Sequence, residues 1–218
     1  MKILFSALYL FLKNMGSRKI ATICILNGLI LILYPSVEDR VFQKKQAEVL
    51  KQWEDDKQIT NQIDNLSTTA QPTSSTKKEI PVMIDGHEVV GVISIDNIDL
   101  QSPIINGSEE QSLKVGIGVV EPDRSPGNVN NYVLAGHNSA TYGKHFNRLN
   151  ELEVNDRIII KTINSDYIYK VTSIFVVDQD NLSVLENSNL AEITLITCEY
   201  DRRKKPIYRL IVKGTLVT

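Results

Sequence analysis

Cysteine and histidine are scarce in this chain: 2 Cys and 3 His, scattered along 218 residues. A structural zinc site needs four such ligands in close pairs, so that class is excluded. Cys24 lies in an apolar N-terminal segment and Cys198 near the far end. With one in a bilayer and the other outside it, the two cannot form a disulfide, which leaves Cys198 a lone thiol. Neither sign of charge is in excess: 24 basic residues face 26 acidic ones, a net charge of −2. That provides no basic field for a nucleic acid, and none is expected as a partner.

One long uncharged run is present. Ile20 to Tyr34 carries no charge and extends to Val37. A spanning helix needs about 17–25 apolar residues. The site after the run, Tyr34-Pro35-Ser36-Val37-Glu38, is poor for signal cleavage, so an uncleaved anchor over residues 1–37 is expected. Lys2, Lys13, Arg18 and Lys19 precede the run, and Arg40, Lys44 and Lys45 follow it. This balance leans toward an inside N-terminus. Ile3 to Leu12 is a second apolar stretch, either in the membrane or along its surface.

Residues 38–78 read as a polar stalk. Leu50, Trp53, Ile59, Ile63 and Leu66 recur at helical spacing between Gln43 and Leu66, which predicts a juxtamembrane helix. Ser67 to Lys78 has one proline and no large apolar residue. It cannot build a core and reads as a flexible linker. The main folded domain is expected over 79–218.

From Ile80 the pattern changes to short β-rich runs: Val89 to Ile95, Tyr132 to Ala135, Arg157 to Thr162, Tyr167 to Val177, Ile193 to Thr197 and Tyr208 to Val217. Asn, Asp, Gly and Pro separate them, and Asn164-Ser165-Asp166 suits a hairpin turn. Such a pattern predicts an all-β barrel or sandwich, with short helical pieces at Glu109 to Leu113 and Phe146 to Leu149.

Three of these runs end in chemistry. Thr194-Leu195-Ile196-Thr197-Cys198 ends in a thiol, Tyr132-Val133-Leu134-Ala135-Gly136-His137 in an imidazole, and Tyr208-Arg209 opens the last run with a guanidinium. A lone cysteine in an apolar strand is ordinarily a small core hydrophobe. With the other two groups it makes a candidate acyl-transfer site. A neighbouring cation enriches the nucleophilic thiolate, the imidazole moves the proton, and the guanidinium holds an oxygen. The hydroxyl of Thr197 and the backbone N–H of Glu199 are further oxyanion candidates. His145 reads as a surface or loop histidine and His87 as a solvated turn residue.

The Thr-Leu-Ile-Thr-Cys run resembles the cysteine signature of the sortases, the cysteine transpeptidases of Gram-positive bacteria. The histidine segment 132–137, the stretch Phe146-Asn147-Arg148-Leu149-Asn150-Glu151-Leu152 after it, and Arg209 in Tyr208-Arg209-Leu210-Ile211-Val212 are similar to the family's segments in the same order. The resemblance covers Ile80 to Thr218. It implies a sortase-type closed β-barrel with short helices behind an N-terminal transmembrane helix and stalk, with Cys198, His137 and Arg209 as catalytic residues. It further implies a single-pass membrane enzyme facing the exterior. That enzyme cleaves Leu-Pro-Xaa-Thr-Gly sorting signals of surface proteins between Thr and Gly, and joins the Thr to an amine of a peptidoglycan precursor or another acceptor. Pilus-type members carry a lid and a C-terminal membrane segment, and this chain ends at Thr218 with neither, an expectation of a class A/D/E-like member.

Glu109 and Glu110 invite a calcium reading, since some sortases bind that ion. Calcium needs six to eight oxygens, so no metal and no cofactor are expected. The basic run Arg202-Arg203-Lys204-Lys205 lies in the segment that bears on substrate choice in the family, and reads as a solvated loop. A hydrolytic cysteine peptidase and a non-catalytic binding module for sorting signals are the rival readings.

Overall fold

The computed structural model describes residues 22, 25–26, 28–29, 40, 43–55, 57–58, 82–139, 145–199 and 208–217. The chain divides into two compact units, 1–44 and 45–218. In the first, Thr22, Ile25, Leu26, Gly28 and Leu29 are helical. The rest of the expected membrane segment, like Ile3 to Leu12, lies outside the described residues. Among the described residues no helix is long and apolar enough to cross a membrane.

The second unit is a barrel. Its strands are β1 (Met83–Ile84), β2 (His87–Ile95), β3 (Leu100–Ile105), β4 (Ile117–Val119), β5 (Asn130–Ala135), β6 (Arg157–Lys161), β7 (Asp166–Asp178), β8 (Ala191–Glu199) and β9 (Tyr208–Leu216). They form one sheet in the order β1-β2-β3-β4-β5-β8-β9-β7-β6, and β6 pairs back onto β2, closing the ring with β1 as an appended hairpin. Closure removes the free edges of β2 and β6. The predicted strands are all present. The turn before β7 is held by Thr162, whose Oγ1 donates to Ser165 O at 2.8 Å.

Alternation along each strand fills the interior. Ile93 and Ile95, Tyr132 and Leu134, Ile158 and Ile160, Ile193 and Leu195, and Leu210 and Val212 belong to one buried cluster. Because successive side chains face opposite sides, this parity sends Asn131, Val133 and Ala135 outward from β5. It likewise sends Thr194, Ile196 and Cys198 outward from β8, and Arg209, Ile211 and Lys213 from β9.

The polar stalk expected over Gln43 to Leu66 is in part a packed element. Residues 45–55, 57 and 58 are helical (α1). Val49 and Trp53 of α1 join Val82, Ile84, Val89, Val92 and Ile105 in a second buried cluster on the outside of the barrel. Lys45 pairs with Asp85 at 2.9 Å, and Lys57 pairs with Asp166. The surface pairs contribute little; burial of Val49 alone contributes about 1.5–3 kcal/mol. Hence α1 belongs with the barrel, although the sequence places the domain start near Glu79. A second helix, α2 (Glu110–Val115), links β3 to β4.

The β7–β8 connection positions the site. Both β7 and β8 pair antiparallel with β9. They therefore run in the same direction on either side of it, and residues 179–190 must cross β9 from one end to the other. Ile211 and Val133 face outward yet are fully buried, and Val184 of the crossover is buried too.

Candidate active site

Cys198 and Arg209 are directly opposed partners in the β8–β9 ladder. Opposed residues share a face, so thiol and guanidinium both leave the barrel outward. On the other side, β5 runs parallel to β8 in the register Ala135↔Ile196. The ladder continues past β5 through Gly136 N–H, which donates to Ile196 O at 3.0 Å. That carries His137 alongside Cys198. Sequence order separates the three residues widely; three adjacent strands bring their positions together at one end of the sheet. All three are half-buried, and Cys198 carries a free thiol. Arg209 Nη1 donates to Tyr208 O at 3.1 Å, which fixes part of its fork.

Glycine is required at 136 by close approach. A Cβ there would stand 2.7 Å from Ile117 Cδ1 and 2.7 Å from Phe146 Cδ2, well inside ordinary carbon contact. The small residue lets the histidine segment turn off β5 over the barrel end. Asn138 then secures it, donating from Nδ2 to Cys198 O at 2.8 Å.

Thr197 is a correction. The sequence offers its hydroxyl as an oxyanion donor, but Thr197 alternates inward and is buried. Its Oγ1 donates to Gly136 O at 2.8 Å. A hydroxyl has one proton to give, so this one braces the histidine segment. Glu199 is the last residue of β8, opposite Tyr208, with its backbone N–H next to Cys198 in the chain.

His145 is a second correction. It is buried, 6% exposed, and its ring meets that of His137 edge-to-face with centroids 6.0 Å apart. Its backbone is left-handed, φ 53°, and Asn138 and His145 form an isolated antiparallel bridge. Phe146 N–H closes the same loop onto His137 O at 3.0 Å. Spacing alone conceals this, because no periodic pattern places His145 beside His137.

An open hollow of about 290 Å³ lies beside His137, lined by Lys114, Asn138, Ser139 and His145. Lys114 bonds Glu110 at 3.0 Å. That hydrogen bond and the charge of Lys114 hold the Glu110 carboxyl below its usual range, with a smaller contribution from His137. Glu109 accepts from Ser112 Oγ at 3.3 Å. The two carboxylates thus have different local partners. The basic run 202–205 lies outside the described residues.

Outward-facing side chains extend from this end in rows. Beside the Cys198–Arg209 row lies an apolar one: Ala135, Ile196, Ile211 and Phe175 stand in register across β5, β8, β9 and β7. Together these features define a class: a mostly-β barrel with thiol, imidazole and guanidinium positions gathered at one strand end, above an apolar outer face.

Residues 93–217 match the sortase domain family. The chain is 30% identical over 201 residues to sortase A of Bacillus anthracis, covering 91% of this chain and 93% of the relative. Among solved structures, sortase A of Listeria monocytogenes matches with a TM-score of 0.55 at 30% identity, over 60% of this chain and 88% of that one. A sortase D5 transpeptidase of Clostridium perfringens shares the fold with a TM-score of 0.58 at 24% identity, over 82% and 99%. This chain belongs to the sortase family, a family of transpeptidases.

Proposed function

We propose that this protein cleaves Leu-Pro-Xaa-Thr-Gly-type sorting signals between Thr and Gly and transfers the Thr carboxyl to an amine. Cys198 is the nucleophile, His137 the proton carrier and Arg209 the oxyanion holder. The observation that carries the reading is the direct opposition of Cys198 and Arg209 in the β8–β9 ladder, with the His137 segment tied to Cys198 O by Asn138.

In the first half-reaction the Cys198 thiolate attacks the Thr carbonyl carbon. The S–C bond forms, and the carbonyl π pair moves to oxygen beside Arg209. As the oxyanion collapses the C–N bond breaks, and His137 gives its proton to the departing amine. In the second, an acceptor amine attacks the thioester carbonyl, His137 takes the amine's proton, and the thiolate leaves. Holding an oxyanion in this way is worth about 10²–10³ in rate per donor. A peptidoglycan precursor or another acceptor supplies the amine. The apolar run from Ile20 anchors the protein in the cell membrane with its barrel outside, where surface proteins and wall precursors meet.

The test is the full-length chain in detergent, with a Leu-Pro-Xaa-Thr-Gly peptide library and a glycine-type amine, products read by mass beside Cys198→Ala. A Thr–amine product absent in the variant is the expected result. Hydrolysis at the same bond without transfer to any amine would favour a peptidase. No cleavage by the wild type would overturn both and leave a binding module.

A further inference from the structure

β2 stands four strands from β8 in either direction round the ring. Over that far side, α1 and the sheet enclose a hollow of about 230 Å³. Its helical wall is Leu50, Trp53, Glu54, Lys57 and Gln58, one stripe at i, i+3, i+4, i+7 and i+8. On the barrel side stand Val92, Lys161 and Asp166. These three form a row across β2, β6 and β7, each opposed to the next in its ladder. Opposed residues share a face, and Val92 clusters with Trp53, so the whole row faces α1. A stripe that beds a helix on a sheet is ordinarily apolar. This one turns polar after Trp53, and there the helix and sheet leave space between them. One water needs only about 15 Å³, so the hollow has room for a small organic molecule.

Two observations say which kind. Trp53 is 5% exposed, and its indole Nε1–H is buried without a hydrogen-bond partner. Buried donors are nearly always paired, and an indole nitrogen can only donate, so the missing group is an acceptor. The second observation is charge. Lys57 and Lys161 are half-buried, whereas Glu54 and Asp166 are exposed. Asp166 is engaged by Lys57, whose ammonium keeps further protons to donate. Lys161 has no ion-pair partner among the described residues. The sheltered part of the hollow thus carries positive charge, an orphan donor and the apolar surfaces of Leu50 and Val92. The one carboxylate left to oppose it, Glu54, lies on the exposed rim.

We propose that this hollow is a binding site for a small carboxylate with a short apolar tail. The carboxylate accepts from Lys161 and from the Trp53 indole, and the tail lies against Leu50 and Val92. One wall belongs to α1 and the other to the barrel, so a bound ligand ties the two together by mass action. The site is separate from Cys198 and stands apart from the transpeptidase reading.

The experiment is NMR of the full-length chain in an uncharged maltoside detergent, with the tryptophan nitrogen isotope-labelled. The chain has one tryptophan, so the single indole N–H signal belongs to Trp53. The probes are hexanoate and its uncharged isostere, hexanamide. Hexanoate is expected to move the signal saturably, with a Kd on the order of 1 mM for so small a ligand. Replacing it by hexanamide, or Lys161 by Gln, should each weaken binding about tenfold, the loss of one charge-assisted hydrogen bond. Glu54→Gln removes the opposing rim charge and should tighten binding about twofold to threefold. If Lys161→Gln does not fold, hexanamide and Glu54→Gln decide the matter. Movement without saturation means partition into detergent and overturns the site. So does an equal response to both probes, a wild-type response from folded Lys161→Gln, or a Glu54→Gln variant that binds no tighter. No movement at all also overturns it and leaves the indole N–H to a buried water.

Discussion

Asn138 Nδ2 and the carbonyl oxygen of Cys198 are 2.8 Å apart, so the residue after the proposed proton carrier holds the residue proposed as nucleophile by its backbone. The bond spans two strands' ends and fixes how far imidazole and thiol can drift. Misplacement by about 1 Å at a reacting centre costs on the order of a hundredfold in rate. Asn138→Ala is therefore expected to lower kcat/KM about tenfold to a hundredfold while the thermal midpoint moves little. A variant with wild-type kcat/KM would show that the bond plays no part in alignment.

His145 packs edge-on against His137 at 6.0 Å, and an aromatic pair of this kind is worth about 0.5–1.5 kcal/mol. His145→Phe keeps a flat edge there and is expected to retain activity within about threefold. His145→Ala removes the edge from a buried position and is expected to lose about tenfold in kcat. Equal activity of the two variants would separate ring contact from catalysis. A β-branched substitution should fare worst in folding yield, because φ is 53° at this position and such side chains do not adopt it readily.

Trp53 is the chain's one tryptophan and is 5% exposed in the contact between α1 and the barrel. Its fluorescence reports that contact alone. Val49→Asp buries a charge against Val89 and Val92 and should release α1. A red shift of the emission maximum with the β signature of the far-ultraviolet spectrum retained is expected. Barrel unfolding in the same step would instead make α1 integral to the domain's stability.

Tyr132 and Tyr169 give a pH dependence. Burial pushes both phenols above their ordinary value, Tyr132 most strongly. A group whose folded-state value is raised contributes fully below its unfolded value, near 10, and the contribution is lost as pH rises toward the folded value. Denaturant midpoints should thus hold steady through neutral pH and fall above about pH 10. Tyr132→Phe should flatten that fall, and an unchanged slope would exclude Tyr132 as its source.

Much of this was legible beforehand where a local pattern carries it. β2, β5, β7, β8 and β9 alternate clearly, and the three site residues each stand at the edge of such a run. β3 escaped because it contains Pro103, a poor strand residue. The ladder tolerates it where β4 has not yet begun, since that strand pairs only at Ile104 and Ile105. β4 is three residues long, too short for a period. Thr197 was misread because alternation, applied strictly, turns it away from the thiol next to it. The burial of Asn131 against residues 184–187 and the docking of α1 depend on contacts across long chain separations, and His145 on an isolated bridge to Asn138, none of which a local period encodes. Asn131 in particular sits before an apolar run where an asparagine reads as a strand boundary.

β9 lies between β7 and β8 in the sheet although it comes last in the chain. It is a keystone strand. Until residues 208–216 arrive, β7 and β8 each present an unsatisfied edge and the ring stays open. Pairing across such separations is the slow part of folding. Arg209 enters on that same strand. A chain emerging from its amino end therefore carries Cys198 before Arg209 stands opposite it, and the proposed centre comes into being in the step that closes the barrel. Chemistry and fold are completed together, so that an unfinished or trimmed chain lacking this strand has neither.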